Sequence, residues 1–145
     1  MAISSDSEFK AALNDLSRAG QRLLAARFVE HVLDLSQDAR LKAVVAAAKR
    51  SDITEDELAA ALHSAQAARV DSYTQCGHEC DWNSQAGHFV AQAALDCLKE
   101  QGNAAWDTAM HARMARTCKS VAGGDGTDND EAEAQYRIVT EFMNA

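Results

Sequence analysis

The segment CGHEC at residues 76–80 carries the residue types closest to a metal-binding or redox site. Thiolates and imidazoles are the ligands that Zn²⁺ takes in closed tetrahedral sites, and Cys97 and Cys118 lie elsewhere in the chain. A single residue separates successive ligands, where zinc sites usually have about two to four, and no second CxxC pair completes the set. Buried helical cysteines that behave as small hydrophobes explain Cys97 and Cys118 equally well. The alternative hypothesis of a metal-binding or redox-sensing domain therefore uses Cys76, His78 and Cys80.

A second cluster is the acidic segment from Asp125 to Glu133, which invites comparison with a calcium-binding loop. An EF-hand needs glycine at its sixth position and glutamate at its twelfth. Counted from Asp125, those positions hold Asp130 and Tyr136, so the match fails. Acidic residues are favoured beside a helix N-terminus, and we interpret 121–130 as a mobile acidic loop that offers a docking edge.

The histidines are the third set of residues that could do chemistry, as general bases. A base needs a nucleophile or a substrate pocket beside it, and the sequence has no GxSxG, HExxH or phosphate-binding glycine loop. We interpret His88 as a hydrogen-bonded interior group rather than a catalyst. The sequence therefore predicts no catalytic residues, no cofactor and no enzymatic activity. The set consists of His31, His63, His78, His88 and His111.

These residues must be positioned by helices, and the stretch from Ser84 to Leu98 is the one around which the others are arranged. Its apolar residues surround almost the whole helical circumference and leave a narrow polar strip. Such a helix belongs in the middle of a domain. We therefore predict a central helix near residues 84–100.

Capping signals and apolar periodicity predict the other helices. Thr54 and Glu57 form a capping box that begins a helix at Glu55 and carries it to about Ser72. A similar signal at Ser5 begins an N-terminal helix within residues 1–20, expected to end near Gly20 and to dock loosely. The remaining predictions are helices over 21–35 and 41–50, a loop or bent connection over 73–83, a helix capped by Asn103, and a last helix over 132–143.

The composition fits one all-α domain. The 145 residues include no proline, and no run of alternating β-branched residues predicts a strand. A chain of this length buries roughly 68–70% of its unfolded surface, so it can fold without a disulfide or a structural metal. We predict a compact single-domain bundle of about six or seven helices over residues 1–145.

The net charge of −8 limits the possible partners. It repels nucleic-acid phosphates and anionic lipids, which disfavours direct nucleic-acid binding and membrane association. The first residues lack the basic and apolar regions of a secretory signal, and we expect a cytoplasmic protein whose four cysteines are thiols. An acidic surface can instead steer a basic protein partner towards it.

The chain resembles a family of alanine-rich helical immunity proteins of bacterial polymorphic toxin systems. The resemblance spans about residues 22 to 140 and follows the segments LLAARFVEHVLDL, DARLKAVVAAAKR, ITEDELAAALHSAQAAR, QAGHFVAQAA and EAQYRI. The matching positions are Asp38, Arg40, Ala86-Gly87-His88, Glu133 and Gln135.

That resemblance implies a non-catalytic protein that neutralises a toxin by covering its active site, and a basic toxin domain is the expected partner. Two segments are the candidate contacts, the acidic turn and the predicted loop before the central helix. An interface of this kind needs about 800 Å² per partner and an aromatic or arginine anchor. The expected partner-binding residues are Tyr73, Glu79, Asp81, Trp82, Asp125, Asp128, Asp130, Glu131 and Glu133.

Overall fold

The computed structural model describes residues 2–77 and 81–145, which form seven α-helices and one 3-10 helix and contain no strand. The predicted all-α bundle is therefore confirmed. The helices are α1 (Asp6–Asn14), α2 (Arg18–Val32), α3 (Ala39–Ala48), α4 (Glu55–Cys76), α5 (Trp82–Cys97), α6 (Ala104–Ala122) and α7 (Glu131–Asn144), and the 3-10 helix (Leu33–Leu35) continues α2.

Helix α5 lies at the centre, as the sequence predicts. It packs against α2, α3, α4, α6 and the 3-10 helix, and its most extensive contact is with α6. The side chains of Val90, Ala93, Ala94 and Cys97 are completely buried. Most buried residues of α6 are also alanines, so small side chains form the seam between these two helices.

Helix α1 is firmly docked, which makes the prediction of loose docking wrong. Phe9 is completely buried, and its ring centroid lies 5.7 Å from that of Phe28, 6.0 Å from Trp106 and 5.5 Å from Tyr136. Asp6 adds an ion pair with Arg113 at 2.8 Å. Aromatic packing and this ion pair tie α1 to α2, α6 and α7.

The boundary between α1 and α2 also differs from the prediction. Helix α1 ends at Asn14, and α2 begins at Arg18 because the Ser17 side chain accepts a hydrogen bond from the Gly20 backbone N–H at 3.0 Å. A serine at this position satisfies one of the free amides of a new helix. Gly20 therefore lies in the first turn of α2 instead of ending α1.

Helix α4 begins where predicted but is longer than predicted. It continues to Cys76, so Tyr73 is helical, and only residues 77–81 separate it from α5. The apolar pattern lapses after Ala68, the last buried residue of α4, because the final turns extend beyond the core. Gly77, with φ +52°, caps the helix in a backbone conformation that favours glycine.

Replacing Thr54 with alanine is expected to lower the free energy of unfolding by about 1 kcal/mol. The Thr54 hydroxyl accepts from the Glu57 N–H at 3.1 Å, and the Glu57 carboxylate accepts from the Thr54 N–H at 3.1 Å, so the substitution leaves an amide of the first turn without its partner. Urea unfolding followed by circular dichroism measures the change. Ser51→Ala, at an exposed residue just before the helix, is the matched control, and an equal effect there would contradict the capping argument.

Candidate functional site at the acidic end of the bundle

A polar cleft of about 1040 Å³ opens between the 3-10 helix and the start of α3, the second half of α4, and the first half of α5. The N-terminal ends of α3 and α5 both reach it, and their capping residues Asp38 and Asp81 line it. The charged and reactive side chains in its lining are Asp34, Asp38, Arg40, Asp71, Ser72, Asp81, His88 and Lys119.

Arg40 bridges two walls of this cleft. Its guanidinium lies 2.7 Å from the Asp38 carboxylate and 3.0 Å from that of Asp71. Hydrogen bonding from Arg40 lowers the pKa of Asp38, and the two carboxylates raise the pKa of Arg40. Asp38 therefore stays ionised at neutral pH, and Arg40 holds α3 against α4 through its contact with Asp71.

Ser72 and His88 form a hydrogen-bonded pair inside the cleft, but not a nucleophile and its base. The Ser72 hydroxyl donates to the Arg69 carbonyl at 2.8 Å, and its oxygen lies 2.9 Å from His88 Nδ1. Because the hydroxyl has one proton, His88 Nδ1–H then donates to Ser72. The described residues place no carboxylate within hydrogen-bond distance of His88, so the geometry agrees with the interpretation of His88 as a hydrogen-bonded interior group.

We expect His88 to titrate below pH 6.5 in the folded protein. Burial lowers its pKa because it disfavours the charged form, and the positive charges of Arg69 and His111 lower it further. The unfolded chain then binds a proton at His88 more readily than the folded chain does. The stability that neutral His88 contributes is therefore present above pH 6.5 and is lost as the pH falls towards the folded-state pKa.

An NMR titration of the His88 ring protons, folded and in urea, measures this shift. His88→Gln is expected to weaken the pH dependence of unfolding in the same window. A folded-state pKa equal to or above the value in urea would contradict the effect of burial.

The acidic turn lies at the same end of the molecule as the cleft. The Lys119 ammonium, which lines the cleft, lies 3.3 Å from Asn83 Oδ1 near the start of α5, and Ser120 Oγ donates to the Asp128 carbonyl at 3.0 Å. Helix α6 extends to Ala122, so the first two residues of the predicted loop 121–130 are helical. We define the acidic end by Asp34, Asp38, Asp71, Asp81, Asp125, Asp128 and Asp130.

Most of the predicted partner-binding residues are accessible. Tyr73 is 69% exposed and Trp82 is 48% exposed. Glu79 lies outside the described residues, as do His78 and Cys80 of the alternative metal site. Among the predicted contact residues, the exposed acidic side chains are Asp81, Asp125, Asp128, Asp130 and Glu133.

Glu131 is the exception, and its prediction as a contact residue is wrong. It is 1% exposed, and its carboxylate accepts from Arg116 at 3.1 Å and lies 2.8 Å from His31 Nδ1. A buried carboxylate requires such partners because water no longer solvates it. Glu131 therefore connects α7 to α2 and α6 instead of facing solvent.

The cysteines divide into two kinds. Cys97 and Cys118 are free and buried, as predicted, and burial raises the pKa of Cys97 to about 12, which makes it a poor nucleophile. Cys76 is disulfide-bonded, so the prediction of a thiol is wrong there. A disulfide sulfur is not a thiolate ligand. Within residues 2–77 and 81–145, no three His, Cys, Asp or Glu side chains cluster closely enough to hold a metal ion.

The sequence interpretation missed the cleft carboxylates Asp34 and Asp71, and it also missed a buried contact between the Asp96 carboxylate of α5 and the His111 imidazole of α6. Asp96 is completely buried and pairs with His111 Nδ1, while the Lys99 ammonium lies 3.0 Å from its other oxygen, close enough for an ion pair but not aligned as a hydrogen bond. Asp96 lies on the polar strip of the predicted central helix, and that position is the sequence signal for it.

None of the helices in the described residues has the length and hydropathy needed to cross a membrane.

Comparison with known proteins finds no protein-family model that matches this chain, and no curated protein or solved structure with significant similarity.

Proposed function

We propose that this chain is a non-catalytic acidic binding protein that neutralises a bacterial toxin by direct contact, as the resemblance to immunity proteins suggests. The observation that supports this proposal best is the acidic end. Carboxylates from three separate parts of the chain line an open cleft there, the acidic turn lies at the same end of the molecule, and exposed aromatic side chains lie beside the cleft. A basic protein surface is the complementary partner.

Electrostatics favours such a partner at the encounter stage. The chain has 22 acidic and 14 basic residues, and four carboxylates but only two basic side chains line the cleft of the acidic end. Complementary charge accelerates association and selects against acidic competitors. A nuclease toxin presents a basic surface to its nucleic-acid substrate, and an acidic protein that covers this surface blocks the substrate.

The test is to express the products of the neighbouring genes in bacteria, identify one that is toxic, and express it with and without this chain. We expect growth to be restored when the two are expressed together, and the purified proteins to form a stable complex by size-exclusion chromatography. Unchanged killing in the presence of well-expressed, folded chain would reject the proposal.

The alternative function, a metal-binding or redox-sensing domain, has one observation in its favour, the disulfide at Cys76. A disulfide at a helix end supports redox sensing better than metal binding, because a metal needs the reduced thiolates. In the cytoplasm, where we propose that the chain resides, such a disulfide would be transient, as redox-sensing disulfides are. Elemental analysis of the reduced protein separates these roles, because stoichiometric zinc would favour the metal site.

A further inference from the structure

Four rings contact one another in series across the outer face of α4, α5 and α6. The Tyr73 ring lies 5.9 Å from that of His88, His88 lies 5.9 Å from Phe89, and Phe89 stacks on His111 at 6.1 Å with an angle of 17° between the planes. The rings come from three helices, so the helix packing itself assembles the row.

Two further large side chains extend this row. Trp82 precedes Phe89 by about two helical turns and so shares its face of α5, and Met114 follows His111 by about one turn on α6. Lys119 of α6 contacts Asn83 of α5, and His111 pairs with Asp96, so the two helices are antiparallel and Met114 lies towards the Trp82 end. We call Tyr73, Trp82, His88, Phe89, His111 and Met114 the aromatic strip.

The aromatic strip exposes more apolar surface than the fold requires. Five large hydrophobic side chains are exposed among the described residues; Tyr73, Trp82 and Met114 belong to the strip, and Val70 precedes Tyr73 by about one turn of α4. Their exposed fractions run from 44% for Met114 to 69% for Tyr73. Exposed apolar side chains grouped on neighbouring helices indicate an interaction site, and Tyr and Trp are enriched among interface hot spots.

We propose that the aromatic strip binds an amphipathic basic segment of a protein partner, whose apolar side chains pack on the rings while its lysines and arginines face the acidic end. This inference rests on the proposed function and identifies the surface and the partner chemistry. His88 belongs to the strip and also lines the acidic cleft, so the apolar and acidic surfaces are continuous.

Charge complementarity selects this occupant over a second copy of the chain. Asp81 immediately precedes Trp82, and Asp71 lies on the same turn of α4 as Tyr73. Two copies that met through their strips would bring these carboxylates together with a net charge of −8 on each chain. A basic segment meets the same carboxylates with the opposite sign.

The test titrates the purified full chain with a synthetic amphipathic helical peptide of leucine and lysine, and calorimetry and tryptophan fluorescence of a Trp106→Phe variant, in which Trp82 is the remaining tryptophan, follow the binding. Tyr73→Gln and Met114→Gln are each expected to weaken binding by about tenfold or more. Met143→Gln is the matched control, because Met143 is also exposed, at 55%, but lies on α7. A peptide with glutamate in place of lysine is expected not to bind, and circular dichroism verifies that each variant is folded.

Several results would overturn this inference. They are absence of binding, equal weakening by the Met143 variant, and equal binding of the glutamate peptide. Sedimentation that shows a dimer dissociated by Tyr73→Gln would assign the strip to a second copy. The peptide titration uses no toxin, so the two proposals can fail separately. Peptide binding that depends on the strip, without protection of cells from the toxin, would reject the proposed function alone. Protection of cells that survives both Tyr73→Gln and Met114→Gln would reject the role of the strip alone.

Discussion

Replacing Phe9 with alanine is expected to lower the free energy of unfolding by about 3–5 kcal/mol, the largest stability effect we anticipate for a single substitution. Phe9 is completely buried, and its ring contacts the aromatic rings of Phe28, Trp106 and Tyr136. The substitution removes the apolar contact and leaves a cavity where α1, α2, α6 and α7 meet. Urea unfolding at neutral pH measures the change.

Phe9→Leu is the control, because it keeps most of the buried volume and is expected to cost about 1–2 kcal/mol. If α1 were loosely docked, as its position in the sequence suggests, both variants would change stability by less than about 0.5 kcal/mol. That result would contradict the burial of Phe9.

Reversing two charges at the acidic end is expected to have the largest effect on function. The Asp34 side chain is 73% exposed and Asp128 is also exposed, so Asp34→Lys with Asp128→Lys changes charge at the surface, and circular dichroism verifies that loss of the 4.0 Å contact between Asp34 and Arg116 leaves the fold intact. We expect association with the basic partner proposed above to slow by about 10- to 100-fold at low salt, because the attractive steering potential at this end is removed. Stopped-flow mixing measures the association rate.

The matched control reverses two charges at the opposite end of the bundle, Asp15→Lys with Glu100→Lys. Arg18 at the start of α2 donates to the Gly102 carbonyl after α5 at 3.0 Å, which places both control residues near that end. The net charge changes equally in the two double variants. Equal slowing would show that overall charge rather than the acidic end controls association, and the difference is expected to shrink at high salt.

Features set by neighbouring residues could be predicted from the sequence, and features set by distant contacts could not. The Thr54 capping box depends on residues within one helical turn, and the central helix depends on the periodicity of one continuous stretch; both are confirmed. The predicted end of α1 near Gly20 is wrong because glycine is a common helix terminator, whereas here Ser17 caps the start of a new helix. Periodicity alone does not rank these competing signals.

The candidate site shows the same division. An acidic residue at a helix start normally faces solvent, and Asp130 does, but Glu131 is buried because His31 and Arg116 approach it from other helices. The cleft depends on Asp34 and Asp71, which are distant in the chain and meet through helix packing. No local pattern encodes that proximity.

The seam of small side chains between α5 and α6 has a consequence for recognition. Alanine has no side-chain rotamers to lose, so the seam has little freedom to rearrange, and the rings of both helices are held at a fixed spacing. A partner therefore meets a surface that is already shaped, and little conformational entropy is lost on this side of the complex. We expect most of the conformational entropy lost on association to come from the proposed partner segment, because that segment becomes ordered when it binds the almost rigid aromatic strip.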